Sequence, residues 1–203
     1  MKTQKKEKSA DSVFPLSALS STRGSRRLAR EKVLQILAAC ETAGCSWREV
    51  FQHIFFREFT FDSKDAENPK KLLTPEEIFE LEADVPIIWK DEDIAYTQDI
   101  LNIVENNREE YDEIIERVAS NWQFDRTAFI DRQLLRIAFS ELTKRPDIPV
   151  KVTINEVIEL SKRYSTDKSN VFINGILDTA LDEFIKAGKA VKYADESVSS
   201  KKT

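Results

Sequence analysis

A chain of 203 residues, 41% of them apolar, is long enough to bury a core as one domain or two small ones. Four glycines argue against a β-rich or loop-rich fold. No apolar run reaches membrane-spanning length and the N-terminus lacks the apolar core of a signal peptide, so the expected address is cytoplasmic. The net charge of −5 speaks against nucleic acid only until its distribution is read, because the acids cluster. In residues 1–36, Lys2, Lys5, Lys6, Lys8, Arg23, Arg26, Arg27, Arg30 and Lys32 outweigh Glu7, Asp11 and Glu31, whereas twelve acidic residues fall in 58–93.

Residues 1–22 are rich in Lys and Ser and hold too few large apolar side chains to offset their ordering entropy, which predicts a disordered basic arm. A helix is expected over 25–43, with Val33, Ile36, Leu37 and Cys40 inward and Gly44 closing it. At its start stands Arg23-x-x-Arg26-Arg27-x-x-Arg30. On a helix positions 23, 27 and 30, and positions 26 and 30, lie close on one side, where two or three guanidiniums could grip successive phosphates; a solvated face reads the same way. Cys40 and Cys45 have no second cysteine pair or histidine cluster near them and read as reduced thiols. Ser46 is the expected N-cap of a second helix through Trp47, Val50, Phe51, Ile54 and Phe55. His53, the single histidine, reads as a partly buried residue of that helix.

Residues 60–90 are irregular and acidic, although Thr74-Pro75-Glu76-Glu77 carries the cap, first-turn proline and glutamate of a short helix. The apolar content of this stretch, with Val85, Ile87, Ile88 and Trp89, predicts packing on the body. Helices follow at 91–105 and 108–119, and Asp125 or Thr127 could cap the next. In that helix Leu134, Leu135, Ala138, Phe139 and Leu142 form one apolar stripe, which should leave Arg136, Glu141 and Lys144 wet. Pro146 and Pro149 stop it in a short ordered turn. A further helix is expected over 150–164 and another from Ser169-Asn170 onward, before a polar tail at 189–203. Every expected element is helical, with no internal repeat. There is no Gly-rich phosphate loop, no G-x-S-x-G and one histidine, so the expectation is a binding protein: not an enzyme, without metal or cofactor. Phe172 reads either as a core residue or as a ring beside the donors Ser169 and Asn170 that could stack on an unpaired base.

Leu135-Arg136-Ile137-Ala138, Glu141-Leu142, Lys144-Arg145, Asp147-Ile148-Pro149, Ile154-Asn155-Glu156, Ile158-Glu159-Leu160 and Phe172-Ile173-Asn174-Gly175-Ile176-Leu177-Asp178, with Arg26-Arg27-Leu28-Ala29-Arg30-Glu31 at the front, resemble the transcription antitermination factor NusB family. The resemblance leaves out residues 1–22, about 60–90 and the last dozen or so. It implies an all-α fold: two antiparallel three-helix subdomains divided near residue 110, plus a seventh helix, within a domain over 23–188 whose segment at about 60–90 is an insertion. It implies a non-catalytic bacterial RNA-binding protein that pairs with NusE, a small-subunit ribosomal protein, binds single-stranded boxA RNA of ribosomal operon leaders, and acts on the elongating RNA polymerase. Carried onto this chain, the RNA surface would hold Arg23, Arg26, Arg27, Arg30, Lys168, Ser169, Asn170 and Phe172, and the NusE side Asp131 and Arg132. Lys168 stands where some relatives have an acid, and Ala38-Ala39 where relatives often have a tyrosine, which removes an aromatic contribution from the first helix. Without its partner such a protein could cover the NusE surface in a homodimer. The alternatives are the RNA-binding domain of a ribosomal RNA cytosine methyltransferase and a protein-only scaffold.

Overall fold

The computed structural model describes residues 22–56, 87–119 and 128–189. They form a small unit, 22–24 with 87–90, and a helical body. The small unit pairs β1 (Thr22–Arg23) in parallel with β2 (Ile87–Ile88), a short extended pairing that the reading of every element as helical did not include. The Gly24 amide continues the pairing by donating to the Ile88 carbonyl at 2.8 Å. Trp89 lies so close over Gly24 that a Cβ there would sit 2.4 Å from the ring. The expected helix at Thr74-Pro75 and the packing of Val85 lie outside the described residues, as do the basic arm, Asp125, Thr127 and the tail from residue 190.

The body is built from α1 (Arg26–Ala43), α2 (Trp47–Phe55), α3 (Asp91–Ala119), α4 (Phe129–Lys144), α5 (Val150–Tyr164) and α6 (Ser169–Lys186). The ends follow from local chemistry. Ser25 caps α1 by accepting from the Leu28 amide at 3.2 Å, and Gly44 ends it in the left-handed region at φ 66°. Ser46 caps α2 through the Arg48 amide. The cap position of α4 is Ala128, which has no side-chain bond to offer. Asn107, at φ −121° and ψ 15°, kinks α3 into two arms, so among the described residues the six helices supply seven helical segments. Between α4 and α5 the double-proline turn is held by Arg145, whose guanidinium makes two bonds to Asp147 at 2.9 and 2.8 Å and one to Asp99 at 2.7 Å. His53 is exposed rather than partly buried, because α2 turns Trp47, Phe51 and Phe55 inward, and position 53 falls on the opposite side.

α4 packs against α1, α3, α5 and α6, and this arrangement decides its chemistry. Every residue from Gln133 to Leu142 is buried, so the expectation that Arg136 and Glu141 stay wet is wrong. Of the three residues expected to be wet only Lys144, at the end of the helix, is exposed. A helix surrounded by neighbours has no solvent face, and its charged residues fold only by pairing. Arg136 accordingly gives two bonds to Asp112 of α3, at 2.8 and 2.6 Å, and a third to Glu41 of α1, which also accepts from Gln133 at 2.7 Å.

Candidate nucleic-acid interface

Of the four arginines, Arg26, Arg27 and Arg30 lie on α1 and do not share one face. Arg23 is in β1, before the helix, and exposed. Arg26 is half-buried: its Nε donates to Asp93 at 3.1 Å, and its guanidinium lies 4.4 Å over the Tyr96 ring. Arg27 is exposed, held loosely between Glu156 and Glu159 of α5 at 3.9 Å each. Arg30 is 2% exposed. Its Nε and a terminal nitrogen donate to the two oxygens of Glu141 at 2.7 and 3.3 Å, so this guanidinium serves the core and offers no edge to a phosphate. Helical spacing put Arg26 and Arg30 on one side correctly, but that side faces the protein.

Glu141 completes its shell with Thr153, at 2.6 Å from its hydroxyl, and with the Tyr96 hydroxyl. Four donors from α1, α3 and α5 thus converge on one buried carboxylate of α4. Tyr96 in turn carries three guanidiniums about its ring, those of Arg26, Arg30 and, at 5.6 Å, Arg145. The network ties the start of α1 to α3, α4 and α5. Burial, and then the charge of Glu141, push the Tyr96 phenol well above its ordinary range. A phenol that holds its proton more tightly when folded contributes stability that is complete below the unfolded value, about pH 10, and is lost as the pH rises beyond it. Burial raises Tyr111 as well. Unfolding midpoints are therefore expected to fall with pH above about 10, and Tyr96→Phe, at a cost of about 1–2 kcal/mol near neutrality, should show a shallower fall. Parallel slopes for the two proteins would refute this assignment.

The second candidate patch, at the start of α6, divides in the same way. Lys168 and Val171 are exposed and Asn170 is half-buried. Ser169 is buried, its hydroxyl donating to Asp131 at 2.8 Å and meeting the hydroxyls of Ser165 and Thr166 at 2.9 and 2.8 Å. Phe172 is 5% exposed, on the inward face with Ile173, Ile176 and Leu177. Asp131 is buried as well and also accepts from Ser165 at 2.6 Å, which fastens the first turn of α4 to the α5–α6 turn; Arg132 beside it is half-buried.

No local pattern marks the residues that join the two patches. Glu31, four positions after Arg27, accepts from Arg163 at 3.0 Å and from the Tyr164 hydroxyl at 2.5 Å. Burial and this bond push the Tyr164 phenol up to about 12. Arg163 and Tyr164 end α5, one short turn before Lys168, so the exposed side of α1 and the start of α6 flank the same stretch of α5. Only a contact across more than a hundred residues reveals this.

The sequence model described as "NusB family" matches residues 27–182, from Arg27 through most of α6. The chain belongs to the NusB family. A transcription antitermination protein NusB of Myxococcus xanthus is 34% identical over 155 residues, which cover 76% of this chain and 93% of that protein. The Clostridium botulinum (strain Kyoto) protein of the same name is 39% identical over 134 residues, covering 64% and 93%. The solved structure of T. maritima NusB superposes with a TM-score of 0.51 at 29% identity, covering 80% of this chain and 94% of that one. The all-α NusB fold is therefore present, and the matched range includes Arg27, Arg30, Asp131 and the whole α6 start, while Arg23 and Arg26 precede it. Among the described residues, no helix is long and apolar enough to cross a membrane, and no group of three or more His, Cys, Asp or Glu could hold a metal ion.

Proposed function

We propose that this NusB family transcription antitermination factor works without catalysis, pairing with NusE and binding single-stranded boxA RNA in leaders of ribosomal operons so that the elongating polymerase resists termination. The observation that carries the reading is family membership over a range that spans both cation-bearing elements, α1 and the start of α6. The exposed Arg27 and Lys168 support it, since a single strand is held mainly by its phosphates. Arg26 and Asn170 extend that cationic and polar edge, and Arg23, exposed in β1, is a further proposed RNA contact. Arg30, Ser169 and Phe172 act beneath it by holding the two helix starts in place. Asp131 and Arg132 remain the residues proposed to meet NusE, with Asp131 shaping that surface through the α5–α6 turn. Two weak contacts made by one heterodimer reinforce each other through effective concentration.

The test is RNA binding by an Arg27→Ala, Lys168→Ala double variant with NusE present. Affinity for boxA RNA is expected to fall about tenfold or more, with the slope of log K against log salt reduced by about 1.4 for two lost single-strand phosphate contacts. The unfolding midpoint should stay within about 0.5 kcal/mol of the parent, since both side chains are exposed. Unaltered affinity and slope would remove these residues from the interface.

A further inference from the structure

On the α1–α5 seam the charges form a ladder of two rungs. Arg27 of α1 faces Glu159 of α5 at 3.9 Å, and one helical turn on, Glu31 of α1 faces Arg163 of α5 at 3.0 Å. The cation switches sides between rungs, so Arg27 and Arg163 stand diagonally, displaced by about 6 Å along the helix axes, four residues' rise. The two rungs differ in rigidity. The first is a loose pair of exposed side chains, of the kind that contributes little stability. The second is built: Glu31 is 9% exposed, one of its oxygens takes the Tyr164 hydroxyl and the other takes Arg163, whose guanidinium also lies 5.2 Å from the Tyr164 ring. Even so, the Arg163 side chain is 66% exposed. A guanidinium held by one nitrogen to a buried carboxylate, backed by an aromatic ring and open to solvent, is oriented before any ligand arrives. Little rotamer freedom remains to be lost on binding.

We propose that Arg163 is an RNA-contacting residue of this chain, positioned by Glu31 and Tyr164, and that it carries a single strand from Arg27 across the end of α5 to Lys168. The inference rests on the proposed RNA surface and adds to it a residue that helical spacing at the N-terminus could not reveal. The chemistry it fits is a phosphodiester oxygen on the guanidinium edge, or an unpaired base laid on the guanidinium plane. Lys162, next to it in α5, is instead paired with Glu159 at 2.7 Å, which leaves Arg163 as the oriented cation of this helix end.

The experiment measures fluorescence anisotropy of labelled single-stranded boxA RNA, and of a scrambled strand of equal length, titrated with the full chain plus NusE over a salt series. Arg163→Ala is expected to weaken boxA binding about five- to tenfold and to lower the salt slope by about 0.7, one single-strand phosphate. Arg163→Lys should restore the slope but only part of the affinity, because an ammonium keeps the charge and loses the plane. Glu31→Gln should keep the slope at its parent value while weakening binding two- to threefold, about the effect of losing orientation alone, a readout that a purely structural role for the ladder would not produce. Parent affinity and slope for Arg163→Ala, with the Arg27→Ala, Lys168→Ala variant still impaired, would overturn the inference and leave the RNA surface standing. Parent behaviour in all of these variants would overturn both.

Discussion

Replacing Arg30 with alanine is expected to destabilise the folded chain by about 3–5 kcal/mol, the cost of stranding a buried charge whose partner has been removed. Glu141 would keep the hydroxyls of Tyr96 and Thr153 but lose the cation bonded to it, at a position 1% exposed where water cannot replace it. Glu156 would suffer as well. Among the described residues its Oε2 is buried without a hydrogen-bond partner, and the cations near it are Arg30 at 4.0 Å and Arg27 at 3.9 Å. Against the 5–15 kcal/mol typical of a domain, roughly, the loss is a large fraction of the total. Urea unfolding should therefore show a much lower midpoint for Arg30→Ala and a parent-like one for Arg27→Ala, although the two residues are three apart in an arginine-rich run. A cycle pairing Arg30→Met with Glu141→Leu should give a double variant less damaged than the sum of the singles, since removing both charges leaves neither stranded. A parent midpoint for Arg30→Ala would mean that the pair does not form. A corollary concerns the binding assay: an alanine triple at Arg26, Arg27 and Arg30 would confound folding with RNA affinity.

The helices were legible because their signals are local. Ser25 and Gly44 bracket α1, Ser46 opens α2, and Pro146 and Pro149 separate α4 from α5, each through the geometry of a few neighbouring residues. The direction in which a polar residue points was legible only where one side of a helix is wet. On α4 the apolar stripe was read correctly, yet the opposite side is covered by other helices, and the pattern Leu-Leu-Arg-Ile-Ala-Phe-Ser-Glu does not announce that its arginine and glutamate have partners on α1, α3 and α5. The same blindness affected the interface. Arg26, Arg27 and Arg30 look equivalent in sequence, and what sorts them is Asp93, Glu159 and Glu141, lying 67, 132 and 111 positions away. Arg163 went unremarked for the converse reason: in sequence it is one basic residue at a helix end, and its meaning comes from Glu31.

Phe172→Ala should cost about 3–5 kcal/mol of stability, the loss usual for deleting a buried ring, whereas Val171→Ala next to it should change little because that side chain is 64% exposed. The α6 start is where a core role and an RNA role compete most directly, so the substitution series has to separate them. Phe172→Leu keeps most of the volume and should cost less than about 1.5 kcal/mol, leaving a folded protein at assay temperature. A ring that stacked on a base would be missed in that variant, since leucine fills the cavity but has no π-face, and base stacking is worth about 1–3 kcal/mol per base. The burial of Phe172 predicts the opposite: boxA affinity of Phe172→Leu equal to the parent once the folded fraction is accounted for, with the salt slope unchanged. Loss of RNA affinity at parent stability would show that the ring leaves the core when RNA binds, and would return Phe172 to the interface. Lys168→Ala supplies the reference for a true surface contact, four residues away on the same helix start: affinity and slope fall together, and the unfolding midpoint does not.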